Sequence, residues 1–107
     1  MSSKYLTRHE EHVLLAILNL RDEAYLVTIQ DFLRKHAKTN YSFGTLYVSL
    51  KRLERAGYLE SIIGESIAKR GGKAIKYYRL TKEGYKILKE TQKVNEAMWI
   101  NFGDLTF

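Results

Sequence analysis

The sequence predicts one mainly α-helical domain that carries a small β-hairpin. Three observations lead there. Apolar residues form helix-like patterns in four stretches, two β-prone runs flank a polar, glycine-bearing loop, and 107 residues leave room for a single modest core.

The elements follow in chain order. Thr7 with Glu10 makes a capping box, in which each side chain satisfies the other residue's free backbone N–H, and it opens a helix over 8–20. The apolar run from Val13 to Leu20 covers much of that helix's circumference. It suits either a central helix packed on all sides or one that also meets a second subunit. A second helix fits 26–37, with Val27, Ile29, Phe32 and Leu33 facing inward. A third fits 42–56, and Gly57 follows it at C′, where a left-handed backbone is usual. Strand-like runs at 58–63 and 74–80 enclose the loop 64–73. Thr81 is an N-cap for a last helix over 82–100. Three helices followed by a hairpin is the order of a winged helix-turn-helix, whose third helix would be the recognition helix. The expected division is a winged-helix domain over 1–81 and a C-terminal dimerisation helix and tail over 82–107.

Composition narrows the function. Apolar residues make up 45% of the chain, too many for a disordered arm. There is no cysteine, hence no disulfide or thiolate metal site. No apolar run nears the ~20 residues that span a bilayer, and residues 1–5 lack a signal peptide's apolar stretch. The expectation is a soluble, cytoplasmic protein with no membrane partner. The formal net charge is +6, with a pI near 9.6. The charge is segregated: no acid lies between Asp31 and Glu54, or between Glu65 and Glu83, while lysines and arginines fill both gaps. Such clustering favours a polyanionic partner.

On a helical wheel, Leu46, Leu50 and Leu53 share the buried face of the third helix, with Phe43 nearby. The opposite face carries Gly44, Thr45, Val48, Lys51, Arg52 and Arg55, with Tyr47 at its edge and Ser42 at the helix start. Small residues come first and cations last, as groove insertion requires: the first turn approaches base edges and later turns run beside phosphates. Thr45 can hydrogen-bond a base or phosphate and Val48 can meet a thymine methyl. Lys51, Arg52 and Arg55 suit phosphates. An ordinary solvated face, with or without pairing to Glu54, is the competing interpretation. Lys69, Arg70, Gly71, Gly72 and Lys73 form a basic tip whose arginine suits a narrow minor groove; a plain turn is the bland alternative. In the last helix, Ile87, Leu88, Thr91, Val94, Met98 and Trp99 form one apolar stripe. The expected cover for it is a second copy of the chain about a twofold axis, and folding back on its own domain is the alternative.

No residues assemble into a nucleophile–base set or a carboxylate pair, so an enzyme is not expected. His9 and His12 lie one turn apart without a third ligand nearby. Solvated or capping roles are expected for them, with no metal and no cofactor.

The segments Gly44-Thr45-Leu46-Tyr47, Arg52-Leu53-Glu54, Gly57-Tyr58-Leu59, Arg70-Gly71-Gly72 and Lys76-Tyr77-Tyr78-Arg79-Leu80-Thr81 with Gly84 occur in an order and spacing that resemble the PadR-like family of winged-helix regulators. The resemblance extends over about residues 6–85. It implies a dimeric repressor on a roughly palindromic operator in double-stranded DNA, dimerised through the final helix. DNA contacts carry over to Thr45, Tyr47 and Arg70. Some members bind flat aromatic effectors at the dimer interface, where Met98 and Trp99 would stand. The chain departs from the family pattern at Leu26, where glycine is usual, and at Ala74-Ile75, where two basic residues are usual. A winged helix used for protein–protein contact without specific DNA binding is the alternative function.

Overall fold

The computed structural model describes residues 5–64 and 74–104. Four helices, α1 (Arg8–Leu20), α2 (Leu26–His36), α3 (Phe43–Arg55) and α4 (Lys82–Trp99), surround one antiparallel hairpin of β1 (Leu59–Ile63) and β2 (Lys76–Leu80). The element order and bounds follow the sequence reading to within two residues at each end.

Local chemistry explains the boundaries. Thr7 Oγ1 accepts from the Glu10 N–H at 3.1 Å, and Glu10 Oε1 accepts from the Thr7 N–H at 2.8 Å, which completes the predicted capping box. At the start of α2, Thr28 Oγ1 accepts from the Tyr25 N–H at 2.9 Å, so a hydroxyl inside the first turn caps the helix in place of an N-cap side chain. Gly57 closes α3 at φ 86°. Its N–H donates to the Glu54 carbonyl and the Tyr58 N–H to the Leu53 carbonyl, each at 3.0 Å, which is the Schellman pairing. The hairpin register sets Leu59 opposite Leu80 and Ile63 opposite Lys76. The Tyr78 N–H donates to the Ala24 carbonyl at 2.9 Å, tying β2 to the segment between α1 and α2.

The core is built around α1. Val13, Leu14, Ala16 and Ile17 are buried with Ile29 and Leu33 of α2, Leu46, Leu50 and Leu53 of α3, and Leu59 and Tyr78 of the hairpin. Two expected core residues lie elsewhere: Val27 and Phe43 are 52% and 45% exposed. Each stands in the first turn of its helix, where the helix has yet to pass over the core. Leu26 takes the inward place at the start of α2.

The stripe on α4 divides. Ile87, Leu88 and Thr91 are buried in the chain's own core, so a partner subunit is not needed to cover them. Val94, Met98 and Trp99 are 42%, 80% and 59% exposed. The reason is length: 18 residues of helix extend about 27 Å, farther than α1 can cover. The molecule measures 58 × 31 × 23 Å, with a radius of gyration of 15.9 Å against roughly 13 Å for a compact chain of this size. Where α4 leaves the core, buried Glu11 accepts from Asn95 Nδ2 at 2.7 Å, a polar clasp between α1 and α4.

Candidate nucleic-acid interface

Helix α3 is held from behind by leucines and presents its other face to solvent. Ser42 caps it: its Oγ accepts from the Thr45 N–H at 3.1 Å and lies 3.0 Å from Thr45 Oγ1. The hydroxyl of Ser42 is therefore committed to the helix, while Thr45 stays exposed at the first turn. Gly44 is exposed too. A Cβ there would meet only Ser42 Oγ, at 3.9 Å, so no packing within the chain demands a glycine at that position. Glycine inside a helix costs about 0.5–1 kcal/mol relative to alanine, and intramolecular contacts do not explain that cost.

Tyr47 and Val48 are 45% and 55% exposed and continue this face. Lys51 holds its amine 5.7 Å from the Tyr47 ring centroid. Arg52 and Arg55 are exposed at the last turn. Glu54 does not neutralise them. Its carboxylate accepts from Ser61 Oγ at 2.7 Å and pairs with Lys76 at 3.6 Å, which fastens α3 to the hairpin. Among the described residues, Lys51, Arg52 and Arg55 have no carboxylate partner, so they are not paired with Glu54. Some of the other cations are paired: Arg34 and Lys35 both pair with Asp31, at 3.1 and 3.2 Å, and Arg79 pairs with Glu60 across the hairpin. Lys51, Arg52 and Arg55 thus keep their charge on the exposed face of α3. The predicted wing tip, Lys69, Arg70, Gly71, Gly72 and Lys73, lies outside the described residues.

Sequence reasoning missed the residue behind this face. His9 is neither solvated nor a cap. Its Nε2 lies 2.6 Å from Ser49 Oγ on the inner side of α3, and its ring stands edge-on to Tyr41 at 4.4 Å between centroids. Ser49 was the available signal, a polar residue on the leucine face that has to find a buried partner. Burial pushes the imidazole below its ordinary value of 6.5; Glu10 opposes this, while His12 and Arg52 push the same way. A depressed histidine stabilises the fold fully above the unfolded value, and that contribution is lost as pH falls from 6.5 through the folded value. Wild-type protein should therefore lose more thermal stability between pH 7 and pH 5 than His9→Leu, measured by circular dichroism melts. Equal losses would contradict the burial of a neutral imidazole.

The sequence model of the transcriptional regulator PadR-like family matches residues 14–90 of the chain. A PadR family transcriptional regulator from Eggerthella lenta is 31% identical, over 91% of this chain and 82% of that one, with a TM-score of 0.71. A transcriptional regulator from Clostridium thermocellum is 26% identical over 92% of both chains, also with a TM-score of 0.71. FabT of Streptococcus pneumoniae, solved in complex with DNA, is similar in fold at 22% identity, with a TM-score of 0.63 over 95% of this chain and 63% of that one. No curated protein sequence matches the chain.

Proposed function

The chain belongs to the PadR-like family of transcriptional regulators, and from that premise we propose that it represses transcription by binding a palindromic operator in double-stranded DNA as a homodimer. The observation that carries this reading is the exposed face of α3. It has small residues at its first turn and three cations without carboxylate partners, among the described residues, at its last turns. Inserted in the major groove, the first turn places Thr45, Tyr47 and Val48 at base edges, and the bare helix at Gly44 permits close approach. Lys51, Arg52 and Arg55 then run beside the phosphates. The loop 64–73 lies at the neighbouring minor groove, with Arg70 as the inserted side chain. Ser42 contributes by fixing the helix start more than by contact, because its hydroxyl is already engaged. The exposed half of α4, with Val94, Met98 and Trp99, supplies the twofold contact, and two recognition helices then stand about one duplex turn, ~34 Å, apart.

Salt tests the interface. Binding to a duplex selected from genomic fragments should weaken steeply with ionic strength, and Arg52→Ala or Arg55→Ala should each flatten the log–log slope by about 0.9. Unchanged slopes would remove these residues from the phosphate contacts. A selection that enriches no palindrome would favour the protein–protein use of the fold.

A further inference from the structure

The helix-turn-helix contains a polar joint that the family assignment does not explain. His9 of α1 touches both the segment leading into α3 and the middle of α3. Its ring packs edge-on against Tyr41, the residue just before the N-cap Ser42. The carbonyl of Tyr41 is in turn held by Gln30 Nε2 of α2 at 2.8 Å. On its other side, His9 Nε2 meets Ser49 Oγ, and the Ser49 hydroxyl also reaches the Thr45 carbonyl at 3.2 Å. The remaining nitrogen, Nδ1, is buried and has no hydrogen-bond partner among the described residues. An unsatisfied buried nitrogen is a standing cost, so stability alone is a poor reason for an imidazole here.

Otherwise α1 and α3 bury apolar side chains in the core, Val13, Leu14, Ala16 and Ile17 on one and Leu46, Leu50 and Leu53 on the other. Apolar contact attracts without direction, leaving a helix some freedom to turn. A short hydrogen bond at mid-helix and a ring against the lead-in residue remove that freedom. We propose that His9 is a positioning residue for DNA recognition: through Ser49 and Tyr41 it fixes the rotation of α3, and with it the place of Thr45 and Val48 at the base edges. This rests on the proposed DNA-binding reading. His9 itself touches no base or phosphate in this arrangement, so its loss should lower sequence discrimination and leave the salt slope unchanged.

The test compares wild type, His9→Leu, His9→Gln, Ser49→Ala and the double variant His9→Leu/Ser49→Ala. Each is titrated against the selected operator duplex and a scrambled duplex of equal length, with thermal melts alongside. His9→Leu should bind the scrambled duplex as wild type does but lose about tenfold or more on the operator, the scale of one misplaced base contact per half-site. His9→Gln, whose amide can either donate to or accept from Ser49, should restore most of that loss. Ser49→Ala removes a single hydroxyl and tests the same contact should the leucine variant fold poorly; the double variant should be no worse than the worse single one. Operator discrimination unchanged in both Ser49→Ala and a folded His9→Leu would overturn the proposal alone. Wild-type protein that binds both duplexes equally would overturn the operator reading, and this inference with it.

Discussion

Val94→Asp is expected to turn a dimer into a monomer in sedimentation velocity at micromolar concentration. Val94 is 42% exposed in the single chain, so a carboxylate there stays hydrated and the fold is spared. In the proposed twofold contact the same position is covered, and two aspartates approach each other near the axis. An uncompensated buried charge costs about 3–5 kcal/mol, enough to abolish an interface of modest area. The functional effect should be larger still. A dimer engages two half-sites through one linked event, and losing that linkage should lower operator affinity by about 10²–10⁴-fold. The end of α4 and the residues just after it carry Met98, Trp99, Ile100 and Phe102, all more than half exposed, and contiguous apolar surface of this kind marks an interaction site. An unchanged dimer in Val94→Asp would refute the assignment of this interface.

The second large effect is expected from one methyl group. Gly84→Ala should destabilise the fold by about 3 kcal/mol, the upper part of the range for overpacking, as read from urea denaturation. Gly84 is in the first turn of α4, directly against the chain between α3 and β1. A Cβ there would fall inside the van der Waals envelope of the Tyr58 carbonyl oxygen and lie 3.2 Å from its carbon. That carbonyl cannot step aside. It accepts from the Thr81 N–H at 3.1 Å, and Thr81 Oγ1 donates to the neighbouring Gly57 carbonyl at 2.5 Å while capping Gly84. Gly57 and Tyr58 are themselves held by the Schellman pairing. Relief must come from lifting α4 off its seat, which would loosen Ile87 and Leu88 from the core. A wild-type denaturation midpoint in Gly84→Ala would show that α4 can shift at little cost.

These two positions differ in how far they were legible. Val94 stood on an apolar stripe that the helical period makes visible. Gly84 belonged to a recognisable motif, but nothing in the residues near it announces a carbonyl from residue 58 beneath it. The same contrast holds for the interface. The order of small residues and cations along α3 is a property of one helix and could be read from its period. Which of those cations remain unpaired depended on where Glu54 points. Glu54 turns to Ser61 and Lys76 because the hairpin folds over that side of α3, and Asp31 takes Arg34 and Lys35 one helical turn away.

By itself, the sequence determined the four helices, the caps at Thr7, Gly57 and Thr81, the hairpin and the family, because period, capping and turn chemistry act over three to five residues. Tertiary structure alone decided that Ile87, Leu88 and Thr91 are buried in the chain's own core, while Val94, Met98 and Trp99 stay exposed. It alone joined His9 to Ser49, 40 residues away, and Glu11 to Asn95, 84 residues away. Polar side chains leave no periodic trace of a distant partner. They are matched only when packing withdraws both from water and makes an unpaired group costly.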